Sequence, residues 1–190
     1  RELNKQPTHQ FYDPPAGDKS LMHGRMLRHA VSDRELVVSL VALYAQHAAR
    51  RARHKQRYAT TATVFLSSST YQDGSDASAC VTFPQATNDG LTITHALTTA
   101  IRHSLPERGS WYRIGVLLSG LVSAPQLLLQ PPIEHPDLDQ AIDRIRDRLN
   151  QDIIGWGLAG LRSTQTWQIA ANHLSKRATT RWNELLTLTV

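Results

Sequence analysis

Apolar positions along this chain of 190 residues follow two rhythms. Leu36, Val37, Leu40, Val41, Tyr44 and Ala48 recur at helical spacing, which predicts a helix with one buried face over about 33–55. Ser32 followed by Glu35 forms a capping box at its start, where each side chain satisfies a free backbone N–H. A second helical series, Ile93, Ala96, Leu97, Ala100 and Ile101, follows the capping side chains of Thr87-Asn88-Asp89 and is ended by Pro106 and Gly109. The other rhythm has period two. Ala59 to Ser67 is rich in Thr and Val, Asp73-Gly74 signals a turn, and Ala77 to Phe83 reads as a further strand stopped by Pro84. Trp111 to Leu121 places Ile114, Val116 and Leu118 on one side, and Lys19 to Arg28 is a weakly alternating strand.

The resulting order, β-α-β-β-α-β, is the ferredoxin-like α+β arrangement: a four-stranded antiparallel sheet, both helices on one face, the other face open. Outside it the texture changes. Residues 1–18 are polar and hold Pro7, Pro14, Pro15 and Gly17, as a linker does. A domain over 19–123 follows, then a proline-marked linker over 124–136. Residues 137–190 read as a small α/β extension, with a helix stripe at Leu138, Ile142, Ile145 and Leu149 and a strand from Ile153 to Leu161.

Composition narrows the class. Apolar residues make up 41%, enough for a real core, and the one cysteine, Cys80, excludes a disulfide framework within the chain. No apolar run reaches the ~18 residues needed to cross a bilayer, and the polar start lacks a signal-peptide pattern, so a cytoplasmic protein without a membrane partner is expected. The chain opens without Met, as a fragment would. Its net charge is +5, but residues 19–57 alone carry nine basic groups against Asp33 and Glu35. The densest part is Arg50, Arg51, Arg53, Lys55 and Arg57. Such a patch either attracts phosphate or complements a helix end.

No catalytic constellation emerges. Asp139, Asp143 and Asp147 share a helix face interleaved with Arg144, Arg146 and Arg148, which reads as a salt-bridged solvent face rather than a metal site. His47 with His54, and His95 with His103, read as solvated helix histidines. Ser119 lacks a nucleophile-elbow context, and Cys80 reads as a small core or sheet residue. What remains is the open sheet face. Alternation sends Arg113, Gly115 and Leu117 to it, with Thr61, Thr63, Ser67, Ser78 and Thr82. Hydroxyls, an arginine and a glycine baring peptide N–H groups suit phosphate contact, although exposed Thr is also plain β-propensity.

Thr87-Asn88-Asp89, then Gly109-Ser110-Trp111-Tyr112-Arg113-Ile114-Gly115-Val116-Leu117-Leu118-Ser119-Gly120-Leu121, resembles the little-finger domain of UmuC-type Y-family translesion DNA polymerases. There the phrases are "PTND" and "GYRYKKAGVMLSGL". Arg1-Glu2-Leu3 is similar to the "REL" after the thumb, and Ser32-Asp33-Arg34-Glu35-Leu36 to the start of the first little-finger helix. Trp167-Gln168 and Leu174-Ser175-Lys176-Arg177-Ala178-Thr179-Thr180-Arg181-Trp182 resemble the terminal "W-x-M … LSPRYTTRW". Two strands depart from the pattern. "SRSFG" reads Gly24-Arg25-Met26-Leu27-Arg28, and "FIRT" reads Phe65-Leu66-Ser67-Ser68.

The resemblance implies the end of an error-prone polymerase acting in SOS lesion bypass and DNA repair, its palm and Mg2+ carboxylates lying upstream. This piece alone would not polymerise and would hold no cofactor. Arg25, Arg28, Thr63, Ser67, Arg113 and Gly115 are the expected contacts to primer–template DNA. Gln126, Leu127 and Leu129 resemble a sliding-clamp pentapeptide, with Gln130 in place of its aromatic plug. Trp167, Thr179, Thr180, Arg181 and Trp182 fall where a UmuD-like accessory dimer and the recombinase filament would dock. The competing expectation is an adaptor that binds polymerase partners and little DNA.

Overall fold

A computed structural model of the chain describes residues 19–68, 76–123, 136–149 and 154–159. The elements are β1 (Ser20–Val31), α1 (Arg34–His54), β2 (Tyr58–Ser67), β3 (Ala77–Thr87), α2 (Gly90–Ser104), β4 (Trp111–Val122) and α3 (Pro136–Leu149), then a 3-10 turn at Gly157–Ala159. The strands form one antiparallel sheet in the order β1-β4-β2-β3. β4 and β2 are thus central, and each helix joins two parallel strands with a third between them, a pair of split βαβ units. Element order alone does not decide which strands are central.

Alternation makes this sheet two-faced. Leu21, Ala62, Val64, Leu66, Ile114, Val116 and Leu118 point to the helices and are buried. They meet Val37, Leu40, Val41 and Tyr44 of α1 and Ile93, Leu97 and Ile101 of α2 in one core. β3 runs through Pro84 to Thr87, past the expected stop. Pro84 is tolerated because β3 is an edge strand, and the pairing with β2 slips at that point, between Ala59 and Thr61.

The helix ends are tied by side chains. Asp33, rather than Ser32, caps α1, its carboxylate accepting from Glu35 N–H at 3.0 Å. Glu35 instead forms a fork with Arg102 of α2, at 2.7 and 3.0 Å. That pairing lowers the Glu35 pKa, chiefly through the hydrogen bond from Arg102. Arg34 donates to the carbonyls of Leu105, Pro106 and Arg102, closing the end of α2. At the other end, Thr87-Asn88-Asp89 works as a connector. The Thr87 hydroxyl accepts from Asp89 N–H, Asn88 Nδ2 donates to Arg57 O, and Asp89 caps α2 through Leu91 N–H.

α3 overturns the expectation of a solvent-facing ion ladder. Asp139, Asp143 and Arg146 are buried. Arg53 of α1 grips both carboxylates: Nε and Nη2 donate to Asp143 at 2.7 and 3.0 Å, and Nη1 donates to Asp139 at 3.0 Å. Asp139 also accepts from Gly90 N–H at 2.7 Å, so a carboxylate from α3 completes the N-terminus of α2. Arg146 and Trp156 N–H both donate to Gln46 Oε1, fixing the turn after α3 on α1. Burial pushes the Asp139 carboxyl up, while Gly90 N–H and Arg53 pull it down without cancelling the rise. The spacing correctly predicts a single face. Its partner lies 86 to 90 positions earlier in sequence, which no local pattern reveals. The strand expected from Ile153 to Leu161 is also not present over its described residues. Its described part, 154–159, is irregular chain and the 3-10 turn.

Candidate nucleic-acid interface

The register places the open face on a grid. One row across the sheet is Met26 (β1), Arg113 (β4) and Ser67 (β2). The next is Gly24, Gly115, Phe65 and Ser78, then Met22, Leu117, Thr63 and Cys80, and finally Ser20, Ser119, Thr61 and Thr82. Thr63, Ser67 and Arg113 therefore share a face as expected.

Three of the expected contacts lie under cover, off this face or at its rim. Gly115 does not bare its peptide. It lies in a central strand, paired on both sides, and the Phe65 ring covers it so closely that a Cβ there would collide with the ring. The glycines at 24 and 115 form a floor on which Phe65 lies. Arg25 pairs with Ile114, whose side chain faces the helices, so Arg25 has the opposite parity to Arg113. It is exposed only because β1 is an edge strand. Arg28 is exposed in the irregular stretch between the Met26 and Val31 pairings, at the rim. The basic segment is revised as well. Arg50 pairs with Asp143 and Asp147, Arg53 with Asp139 and Asp143, Arg51 donates to Met22 O and Arg57 to Ser123 Oγ. The charges of Arg50 and Arg53 are thus neutralised within the chain, on the side of α1 that meets α3.

Sequence reasoning missed Phe65, Met22 and Met26. Phe65 falls between Thr63 and Ser67 in a period of two, so alternation alone would have found it. The Arg113 guanidinium stands 5.7 Å from the Phe65 ring centroid, within cation–π range. Met22 and Met26 are 44% and 62% exposed on β1, whose weak alternation hid them. His47, expected in solvent, stacks on His23 of β1 with centroids 4.7 Å apart. Cys80 is exposed and accepts from the Thr63 hydroxyl. The clamp-like Gln126, Leu127 and Leu129, and the docking residues Trp167, Thr179, Thr180, Arg181 and Trp182, lie outside the described residues.

Electrostatically the sheet is one-sided. No strand contains an Asp or Glu, while β1 and β4 contribute Arg25, Arg28 and Arg113. Among the described residues no helix is long and apolar enough to cross a membrane.

Residues 136–188 match a domain of unknown function (DUF4113). The chain is 25% identical to Protein ImpB of Salmonella typhimurium over 194 aligned positions, which cover 97% of this chain and 45% of that protein. It thus spans less than half of that relative's length. Among solved structures, a Y-family DNA polymerase chimera of Dbh and Dpo4 aligns with a TM-score of 0.44 at 20% identity, covering 58% of this chain and 32% of that one. Residues 18–131, the β-α-β-β-α-β unit itself, match the impB/mucB/samB family C-terminal domain, so the chain belongs to that family as a UmuC/ImpB-like C-terminal region.

Proposed function

We propose that this region grips the backbone of primer–template DNA through its open sheet face, as the little finger of a translesion polymerase whose catalytic part lies upstream. The observation that carries the reading is the absence of any carboxylate from the four strands, on a face that presents Arg113 among hydroxyls. Asp76, just before β3, lies at the edge of the face beside Ser67 and accepts from Ser68 N–H and Oγ. Across the strands themselves a polyanion meets no like charge, and neutral and cationic donors reach phosphates without reading bases. Thr63, Ser67 and Arg113 sit within the face, Arg28 at its rim and Arg25 beside it. Such contact tolerates any sequence, as a polymerase working past lesions requires.

Fluorescence anisotropy of the 190-residue chain on a labelled duplex tests this. Binding should weaken with salt, and Arg113→Ala should both lower affinity and flatten the log–log salt slope by about 0.9, the value for one phosphate contact. A chain that shows no salt-sensitive binding is instead the protein-binding adaptor.

A further inference from the structure

Only one of the two apolar or buried faces of α3 is covered among the described residues. On the first, Asp139, Asp143 and Arg146 are buried and bind Arg53 and Gln46 of α1 and Gly90 N–H of α2, with Ile142 buried one turn from each end of the set. On the second, Leu138, Ile145 and Leu149 are 47%, 40% and 49% exposed. At ~100° per residue these three fall within about 40° of one another, in a stripe that borders Ile142. Ile154, whose carbonyl accepts from Arg146 Nε at 2.7 Å, adds a further exposed apolar side chain close to α3. A helix with such a stripe ordinarily buries it against another element.

We infer that residues 160–188 fold back onto α3 and cover Leu138, Ile145 and Leu149 of the same chain. Two observations choose this occupant. The match to the DUF4113 model starts at 136, the first residue of α3, and runs to 188, whereas the match of the sheet unit stops at 131. α3 is thus the opening element of a unit that residues 160–188 complete. The chain also leaves the described part beside α3. Ala159 packs against the core, and Trp156 N–H and Arg146 both donate to Gln46 Oε1. Residue 160 therefore departs next to the helix whose stripe is bare. The segment that follows carries Trp167, Ile169, Leu174, Trp182, Leu185 and Leu186, enough apolar surface to cover it. The charged side of α3 then ties the extension to the helices, and its apolar side becomes the floor of a separate small core. The inference does not rest on the DNA grip. It sets residues 160–188 on the helix side of the molecule, away from the open sheet.

The test puts the photo-crosslinker benzoylphenylalanine in place of Ile145 in the full chain and maps the products by mass spectrometry. The expected product joins that position to a peptide within 160–188 of the same chain. A product that links two chains overturns the inference, because a second copy then covers the stripe. A product confined to residues before 160, or no protein product, overturns it as well and leaves the stripe to a partner. Limited trypsin digestion gives an independent measure. Leu138→Gln with Ile145→Gln and Leu149→Gln keeps good helix formers on α3 and leaves Arg53 its two carboxylates. Cleavage after Arg177 and Arg181 should run at least about tenfold faster than in the parent, since the loss of three apolar contacts frees the segment. Thermal unfolding checks that the sheet unit is intact. In a folded triple variant, cleavage at the parent rate also overturns the inference. A triple variant that does not fold leaves the decision with the crosslink, which answers either way.

Discussion

At the scale of single residues, the sheet is shaped by a few glycines whose neighbours occupy the space of a side chain. Gly120 shows it most sharply. Its φ is +60°, a left-handed value inside β4, and a Cβ there would collide with the Thr60 hydroxyl across the sheet. That hydroxyl donates to Gly120 O at 3.2 Å. Gly120→Ala therefore meets two separate penalties, backbone strain and a clash, and should lower stability by ~1–3 kcal/mol. Adding Thr60→Ala removes the clash, so the double variant should recover part of the loss and retain about 1 kcal/mol of strain. Urea unfolding of the four chains measures this. If the two substitutions simply add, the clash is not real. The phrase Leu118-Ser119-Gly120-Leu121 was legible as a family signature, but its reason was not. A positive φ in mid-strand is invisible to periodicity, and the obstructing Thr60 belongs to another strand.

Among elements, α1 and α2 were legible because their apolar stripes face the core, as helical spacing assumes. α3 was misread for the converse reason. Its spacing finds the stripe of Leu138, Ile142, Ile145 and Leu149, yet Leu138, Ile145 and Leu149 stay exposed. The helix docks instead by its charged side, because Arg53 and Gly90 N–H offer that side donors. A carboxylate so buried carries a pH signature. The Asp139 pKa in the folded chain is raised, first by burial, so folding holds its proton more tightly than the unfolded chain does. Its contribution to stability is then present at acid pH and lost as pH rises through the raised value. Asp139→Asn removes this dependence while keeping an oxygen for Gly90 N–H. Parent and variant should be close below the ordinary aspartate value of ~3.9, with the variant gaining on the parent above it. Urea midpoints at pH values on either side measure the gap. A parent that gains instead would mean that Arg53 outweighs burial.

For the whole molecule, charge divides into two systems on opposite sides of the sheet. The helix side carries the dense arginines, of which Arg50 and Arg53 meet the carboxylates of α3 and join the extension to the β-α-β-β-α-β unit. The open side carries few cations and no strand carboxylate. The sequence shows the first system as a basic run, and the run invites a nucleic-acid reading because its acidic partners lie some 90 positions away. The second system is almost invisible, since it consists of what the strands lack. The two readings separate in one experiment. Arg53→Gln combined with Asp143→Asn replaces an ion pair by a neutral pair of similar shape. It should lower the urea midpoint, because Asp139 loses its cation and a buried network is weakened. Duplex affinity and its salt slope should stay at parent values, since Arg53 faces α3 and not the open sheet. A slope flattened by about 0.9 would instead place Arg53 on a phosphate. The basic run would then be the grip, and the open face a surface for protein.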